Sequence, residues 1–225
     1  MFSAPKEKAL KMIKRFIDII LSAIGLVLLS PVFIALAIVI KRTSPGPVFY
    51  RAMRAGKNFK PFRMFKFRSM VANADQIGGE NSPADDPRLT EVGKFMKRYK
   101  LDELPQLINV LKGEMSLVGP RPEVLRYAIL YKGEEKIVYT VKPGMTDYAS
   151  IWNIHEEELQ RGADDEEADR IYAEEIRPEK VRLQIKYVKE MSFWTDIKII
   201  LLTLRRIFSS KVDRAKPKRH NKTSK

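Results

Sequence analysis

The longest apolar run in the chain extends from Phe16 to Ile40 and has basic residues beyond both ends. As a straight helix its 25 residues would be about 37 Å long, enough to cross a bilayer core of about 30 Å with some tilt. Pro31 lies inside the run and predicts a kink, because proline removes a backbone donor and clashes with the preceding turn. Ser30 can bond back to a carbonyl that the kink frees.

The basic residues at both ends of this run favour the same, cytoplasmic face of a membrane. A helix that enters the bilayer, bends at Ser30-Pro31 and leaves by the same face satisfies both the charge pattern and the kink. Judged on the apolar run alone, the simpler alternative is an ordinary transmembrane anchor with a proline kink. We therefore expect a re-entrant membrane helix within residues 1–42, with the spanning anchor as the competing interpretation.

After residue 42 the apolar positions recur at the shorter intervals of small strands and helices. Two segments with alternating apolar and basic positions flank residues 56–58 and predict a β-hairpin. Helical spacing predicts two helices in 89–111 and single helices in 124–139 and 177–189. The acid-rich stretch 155–175 is typical of exposed helix.

The segment 193–208 is apolar with basic residues towards its end, which indicates an amphipathic helix lying on a membrane surface. The predicted fold class is therefore α+β, mostly helical, with a re-entrant membrane helix and a small cytoplasmic catalytic domain. That domain covers residues 43–210 and contains a short β-hairpin and interfacial amphipathic helices. Residues 211–225 are basic and polar and are expected to form a disordered tail.

Composition limits the partners and metal sites that are possible. The 225 residues carry a formal net charge of +14, which implies an anionic partner such as lipid headgroups, phosphorylated substrates or nucleic acid. The chain has no cysteine, so disulfides and cysteine-based metal sites are excluded. Its two histidines, His155 and His220, are far apart in the sequence, which argues against a histidine-rich zinc site.

An acidic pair, Asp102-Glu103, stands just before Pro105 at the predicted start of a helix. Such a pair is usually only a first turn favoured by the helix dipole, which lowers carboxylate pKa values. A pair ionised at neutral pH can also hold Mg²⁺ or act as a nucleophile. The rigid turn Pro120-Arg121-Pro122 presents a guanidinium and is interpreted either as a plain loop or as a phosphate ligand.

Five ordered motifs resemble those of the bacterial sugar transferases, the monotopic phosphoglycosyl transferases that start lipid-linked glycan assembly. They are KFRSM at 66–70, DPRLT at 86–90, LDELPQL at 101–107, MSLVGPRP at 115–122 and KPGMT at 142–146. The resemblance extends from about residue 14 to about residue 208. It implies transfer of a sugar-1-phosphate from a UDP-sugar to a membrane polyprenyl phosphate, with release of UMP.

The resemblance also implies residue roles. It makes Asp102 the nucleophile, gives Glu103 a part in holding Mg²⁺, and matches the membrane break to Ser30 and Pro31. Contacts to substrate phosphates or the nucleotide are expected from six residues of these motifs: Lys66, Arg68, Arg88, Pro120, Arg121 and Pro122. The expected location is the cytoplasmic face of the bacterial plasma membrane, where the enzyme would contact membrane lipids.

Two positions depart from the family pattern: Ala52 replaces a common glutamine, and Asp147 replaces a common glycine. Both could bear on the choice of sugar, which the sequence leaves open together with the exact polyprenol and whether the chain is a homodimer.

One competing hypothesis is a non-catalytic membrane scaffold for glycan-assembly enzymes. A nucleic-acid binder ranks last, because no recognised nucleic-acid motif accompanies the charge. The transferase hypothesis requires both carboxyl groups to be accessible at headgroup depth rather than buried in the fold.

Overall fold

The computed structural model describes residues 4–77, 83–154 and 156–208, so His155, His220 and the predicted tail 211–225 lie outside the described part. Its first two helices are α1 (Ala4–Leu28) and α2 (Ser30–Thr43). The strands are β1 (Phe49–Ala55), β2 (Pro61–Phe67), β3 (Ser116–Val118) and β4 (Gly144–Thr146). The remaining helices are α3 (Ala74–Ile77), α4 (Glu91–Arg98), α5 (Gln106–Lys112), α6 (Leu125–Ala128), α7 (Tyr148–Trp152), α8 (Glu156–Leu159), α9 (Asp165–Ile171), α10 (Arg177–Glu190) and α11 (Phe193–Phe208).

The predicted break in the apolar run is confirmed: the segments Met12–Leu28 and Ser30–Thr43 are bent by 59° relative to each other. The Ser30 hydroxyl donates to the Val27 carbonyl at 2.8 Å, and Pro31 lies in the first turn of α2, where its missing donor costs least. Within the described residues, no single helix is long and apolar enough to cross a membrane. The bent pair meets that test jointly, as a broken span or as a re-entrant loop.

The first helix is fastened to the rest of the chain well before the bend. Arg15 donates to the carbonyls of Val110 (2.5 Å) and Leu111 at the end of α5, where free carbonyls and the helix dipole favour a cation. Asp18 accepts from the Leu117 backbone N–H at 3.0 Å. Large apolar side chains nearer the bend remain exposed: Ile24, Val27, Leu28, Val32 and Ile34. Met12, Ile13 and Phe16, farther from the bend on α1, are exposed as well, so exposed apolar surface extends along this helix and around the bend.

The predicted hairpin is confirmed as the antiparallel pair β1–β2, whose register joins Phe49 to Phe67 and Ala55 to Pro61. Its turn places Asn58 and Phe59 at positive φ, which lets the chain reverse tightly. Alternation along the strands buries Ala52, Met64 and Phe67 and leaves the neighbouring basic side chains outside this core.

The second sheet is a parallel pairing of β3 with β4, in which Ser116 faces Gly144 and Val118 faces Thr146. Gly144 permits this close approach, because a Cβ there would lie 2.0 Å from the Gly119 nitrogen. The Gly144 N–H also donates to the Pro120 carbonyl at 3.0 Å. This contact holds the start of the Pro120-Arg121-Pro122 turn against the domain.

The mostly helical α+β class is confirmed, and several helix predictions need correction. Segment 124–139 is not one helix but α6 followed by a 3₁₀ segment, Gly133–Thr140. A three-residue 3₁₀ turn, Leu101–Glu103, separates α4 from α5. The acid-rich stretch is only partly exposed, because Ala168 and Tyr172 are buried within it.

Candidate active site

The acidic pair lies on the 3₁₀ turn Leu101–Glu103 rather than in the first turn of an α-helix, which corrects the predicted geometry. Lys100 precedes the turn with φ of 55°, a left-handed conformation that is uncommon for a residue with a Cβ. Pro105 then leads into α5. The backbone therefore changes conformation abruptly at Lys100, before the acidic pair, whereas Leu104 and Pro105 continue with helical angles from the pair into α5.

Two cations contact the pair. Arg121 grips both carboxylate oxygens of Glu103, with Nη1 2.9 Å from Oε2 and Nη2 on Oε1. Lys66 reaches across from β2, with Nζ 3.3 Å from Glu103 Oε1 and 3.9 Å from Asp102 Oδ2. Residues far apart in sequence thus place two positive charges beside two adjacent carboxyl groups.

Asp102 is the less compensated member of the pair. Its side chain is almost fully buried, and its Oδ1 atom has no hydrogen-bond partner within the described residues. Burial raises the pKa of Asp102, and repulsion from Glu103 adds to the rise while Lys66 opposes it. The sequence predicted a pKa lowered by a helix dipole, so for this residue the direction is corrected.

The pKa of Glu103 shifts in the opposite direction. Burial alone would raise the pKa of Glu103, but the charges of Arg121 and Lys66 outweigh burial and hold that pKa well below its usual range. The two adjacent carboxyl groups therefore differ in kind: Glu103 is a firmly ionised partner of Arg121, and Asp102 is a buried carboxyl whose Oδ1 is unpaired.

Both carboxyl groups line a cavity of about 530 Å³. Asp102 is almost fully buried, which corrects the prediction that both carboxyl groups are accessible. Its side chain nevertheless forms part of the cavity wall. Of the predicted ligands, Lys66, Arg121 and Pro122 also line the cavity. Lys97 and Lys100 line it as well. The sequence motifs assigned no role to these two lysines, although their position just upstream of the acidic pair was an available signal.

The cavity joins surfaces of different character. One part is apolar and is formed by α1, α11 and the strands: Leu21, Leu117, Met145, Ile200, Leu204 and Ile207. Another part is polar and contains Glu123, Tyr172, Lys180 and Gln160. The acidic pair thus borders a space that can accept a molecule with both charged and apolar parts.

Arg68 and Arg88 do not line this cavity, so the structure does not bring these two predicted ligands to the acidic pair. Arg68 is buried and donates to the Pro45 carbonyl at 2.5 Å and to the Ser44 carbonyl at 2.8 Å. Arg88 is buried against Asp86, with Nη2 2.7 Å from Oδ2. Pro120 is also absent from the cavity wall. These arginines instead tie loops to the domain.

The backbone of Arg121 is held by two side chains. Asp147 Oδ2 accepts from its N–H at 3.3 Å, and Gln184 Nε2 donates to its carbonyl at 3.2 Å. Asp147 is fully buried and also caps α7 by accepting from the Ser150 N–H at 2.7 Å. Asp147 and the buried Ala52 both lie outside the cavity wall, so any effect they have on sugar choice would be indirect.

The two carboxyl groups determine whether this site can bind a metal ion. Within the described residues, no cluster of three or more acidic or histidine side chains could hold a metal ion. Mg²⁺, however, is commonly bound through one or two carboxylates together with substrate phosphates. Asp102 Oδ1 is unpaired and Glu103 Oε2 accepts a single hydrogen bond, from Arg121. This donor set therefore fits Mg²⁺ held jointly with a phosphorylated substrate.

Comparison with known proteins identifies similar sequences over nearly the whole chain. The chain is 36% identical over 217 residues to the UDP-glucose:undecaprenyl-phosphate glucose-1-phosphate transferase of Escherichia coli K12, covering 94% of this chain and 43% of that protein. It is 38% identical over 200 residues to the UDP-N-acetylgalactosamine-undecaprenyl-phosphate N-acetylgalactosaminephosphotransferase of Aeromonas hydrophila, covering 88% of this chain and 44% of that protein.

The chain spans less than half the length of those two relatives. It matches the uncharacterized sugar transferase EpsL of Bacillus subtilis 168 more evenly, with 37% identity over 199 residues that cover 88% of each protein. The family model described as bacterial sugar transferase matches residues 9–210. This chain therefore belongs to the bacterial sugar transferase family.

Proposed function

We propose that this protein transfers a sugar-1-phosphate from a UDP-sugar to undecaprenyl phosphate and releases UMP, as the initiating membrane step of polysaccharide assembly. The observation that carries the proposal is the cavity in which a carboxyl group with an unpaired oxygen, Asp102, lies beside Glu103, Lys66 and Arg121. The named relatives from Escherichia coli and Aeromonas hydrophila, whose names state this type of reaction, support the same assignment.

In the first step, a carboxylate oxygen of Asp102 attacks the phosphorus that carries the sugar. The bond from that phosphorus to the oxygen bridging the two phosphates breaks, and UMP leaves with the electron pair. The sugar phosphate is then bound covalently to Asp102. Lys66 and Arg121 lie where they can offset the negative charge of the diphosphate, which is the main requirement of phosphoryl transfer.

In the second step, a phosphate oxygen of the lipid attacks the same phosphorus and the Asp102 carboxylate leaves. The apolar wall formed by Leu21, Ile200 and Leu204 suits the hydrocarbon of such a lipid, while its phosphate would reach the cations. The raised pKa of Asp102 makes its carboxylate a stronger nucleophile than an ordinary aspartate, provided that it is ionised.

We further propose that Mg²⁺ takes part, held by Glu103 and Asp102 together with substrate phosphates. Mg²⁺ would supply electrostatic stabilisation of the charge that develops on the phosphate oxygens. Arg121 would position Glu103 for this role, because its two donors fix both carboxylate oxygens.

We also propose that the bent pair α1–α2 enters and leaves the cytoplasmic face of the bacterial plasma membrane, with Ser30 and Pro31 at the bend. The exposed apolar side chains around the bend and the basic residues at both ends support this arrangement. The chain has no native cysteine, so single cysteines at Lys6 and Thr43 can be labelled cleanly. Both should react from the cytoplasmic side, whereas labelling from opposite sides would establish a spanning anchor.

The activity is tested by measuring UMP release from a panel of UDP-sugars in the presence of undecaprenyl phosphate and Mg²⁺. The wild-type protein should release UMP with one or a few sugars, and intact mass should detect an added sugar phosphate when the lipid is omitted. Asp102→Asn should show neither signal. A protein that binds lipid but releases no UMP from any UDP-sugar would instead be a scaffold.

A further inference from the structure

One segment of the chain, which includes α7, lines the active-site cavity and is held by contacts to residues on both sides of the acidic pair. At its start, Asp147 accepts from the Arg121 backbone N–H at 3.3 Å, next to the guanidinium that grips Glu103. At its end, Glu157 forms an ion pair with Lys100 at 2.8 Å, two residues before Asp102. Residues 151–154, which lie between these two contacts, are therefore held near the reacting centre.

Trp152 and Asn153 lie in the middle of this segment, where α7 ends, and both line the cavity. Trp152 is 42% exposed although it belongs to the cavity wall, so part of its ring remains available to a ligand. The Asn153 side-chain nitrogen is buried and has no hydrogen-bond partner within the described residues. A buried amide nitrogen without a partner is costly, and a bound ligand that accepts its hydrogen bond would remove that cost.

An aromatic face beside a side-chain amide has the chemistry that recognises a nucleobase. The ring offers a surface on which a planar base stacks, and the amide can donate to a base carbonyl and accept from a ring N–H. Uracil presents both kinds of group on one edge. Arg121 and Lys100, which line the same cavity, suit the phosphates joined to that nucleoside.

We infer that Trp152 and Asn153 form the uracil subsite of the cavity, with Trp152 stacking on the base and Asn153 reading its polar edge. The inference rests on the proposed function in taking a UDP-sugar as substrate, and it adds a specific place for the nucleoside. Trp152 and Asn153 act in binding and specificity and take no part in bond breaking. The sequence motifs quoted above end at residue 146 and do not include them.

The chain offers a direct optical test, because it contains two tryptophans. The other, Trp194, is 77% exposed on α11 and does not line the cavity. In Trp194→Phe, all tryptophan fluorescence comes from Trp152. Adding UMP to the full-length protein should quench this fluorescence in a saturable manner, whereas ribose 5-phosphate, which lacks the base, should not. Absence of quenching at UMP concentrations that inhibit the enzyme would overturn the inference.

Inhibition by UMP gives an independent readout. Trp152→Ala should raise the inhibition constant for UMP about tenfold, the usual loss for one base-stacking contact, with little change for inorganic pyrophosphate. Asn153→Ala should raise it by a smaller factor, and Trp194→Ala, the matched control, should leave it unchanged. If Trp152→Ala raises KM for the UDP-sugar but not the UMP constant, the ring binds the sugar and the inference is wrong. Equal inhibition of all variants by UMP would also refute it.

These outcomes are separable from those of the activity test. Loss of UMP release in Asp102→Asn addresses the transfer reaction and does not involve Trp152 fluorescence. If the enzyme is active but UMP does not quench the fluorescence of Trp152, the proposed function stands and only the uracil subsite is refuted.

Discussion

Two buried carboxylate clusters border the same cavity, and they are built differently. In the first, Glu103 is gripped by Arg121 and Lys66 while the neighbouring Asp102 keeps an oxygen without a partner. In the second, Glu123 has both oxygens bonded: Oε1 accepts from the Val124 N–H, and Oε2 accepts from Tyr172 and Lys180.

The pKa directions follow this difference. Burial would raise the pKa of Glu123, but Lys180 and the hydrogen bond from Tyr172 outweigh burial, so the pKa of Glu123 is lowered. Burial prevails at Asp102, whose pKa is raised. A cluster in which every carboxylate oxygen has a partner stabilises the fold. In the other cluster, the unpaired oxygen of Asp102 can still bind a substrate or a metal ion. We therefore expect substitutions in the first cluster to affect activity and those in the second to affect stability.

The largest effect is expected for Asp102→Asn. An amide at this position cannot form the phosphosugar adduct, so UMP release should fall by at least about 10³-fold. The free energy of unfolding should stay the same or rise, because a neutral amide costs less to bury than an incompletely compensated carboxylate. Product formation and thermal unfolding in detergent measure both. Substantial residual activity would exclude the covalent mechanism.

Lys180→Met should produce the opposite pattern in the second cluster. Removing one member of a buried ion pair leaves the Glu123 carboxylate without its cationic partner and should cost about 3–5 kcal/mol of stability. The matched control is Lys189→Met on the same helix, whose pair with Glu134 is exposed and should contribute less than about 1 kcal/mol. Equal stabilities for the two variants would show that burial does not distinguish these pairs.

Arg88→Met tests whether a motif arginine outside the cavity acts on stability or on substrate. Because Asp86 would lose its buried partner, we expect a stability loss of about 3 kcal/mol with KM for the UDP-sugar unchanged. Arg161→Met, which removes an exposed pair with Glu158, serves as the control. A raised KM at unchanged stability would restore Arg88 as a substrate ligand.

The smallest effect concerns pH. Because the pKa of Asp102 is raised, activity should fall as the pH drops through that raised value and the carboxyl gains a proton. Lys66 favours the ionised form, so Lys66→Met should move this acidic limb of kcat/KM to still higher pH. Lys94→Met, on an exposed pair with Glu91, should leave the limb in place. An unshifted limb in Lys66→Met would mean that another group controls it.

Local signals predicted much of this molecule. The break at Ser30-Pro31 follows from proline chemistry alone, and the hairpin follows from alternation around a turn. The candidate acidic pair and the Pro-Arg-Pro turn were also visible, because both are short and contiguous. The parallel pairing of β3 with β4 was not predictable, since it joins three-residue strands separated by 25 residues of chain that no periodicity connects.

The sequence by itself determined which residues carry charge, where the apolar run breaks and which family the motifs indicate. Only the tertiary structure decided which charges meet. Lys66 and Arg68 are two residues apart on one segment, yet Lys66 reaches Glu103 while Arg68 donates to Pro45 and Ser44. The physical reason is that partners and burial, which set both pKa and availability, come from segments distant in the chain, and folding alone brings those segments together.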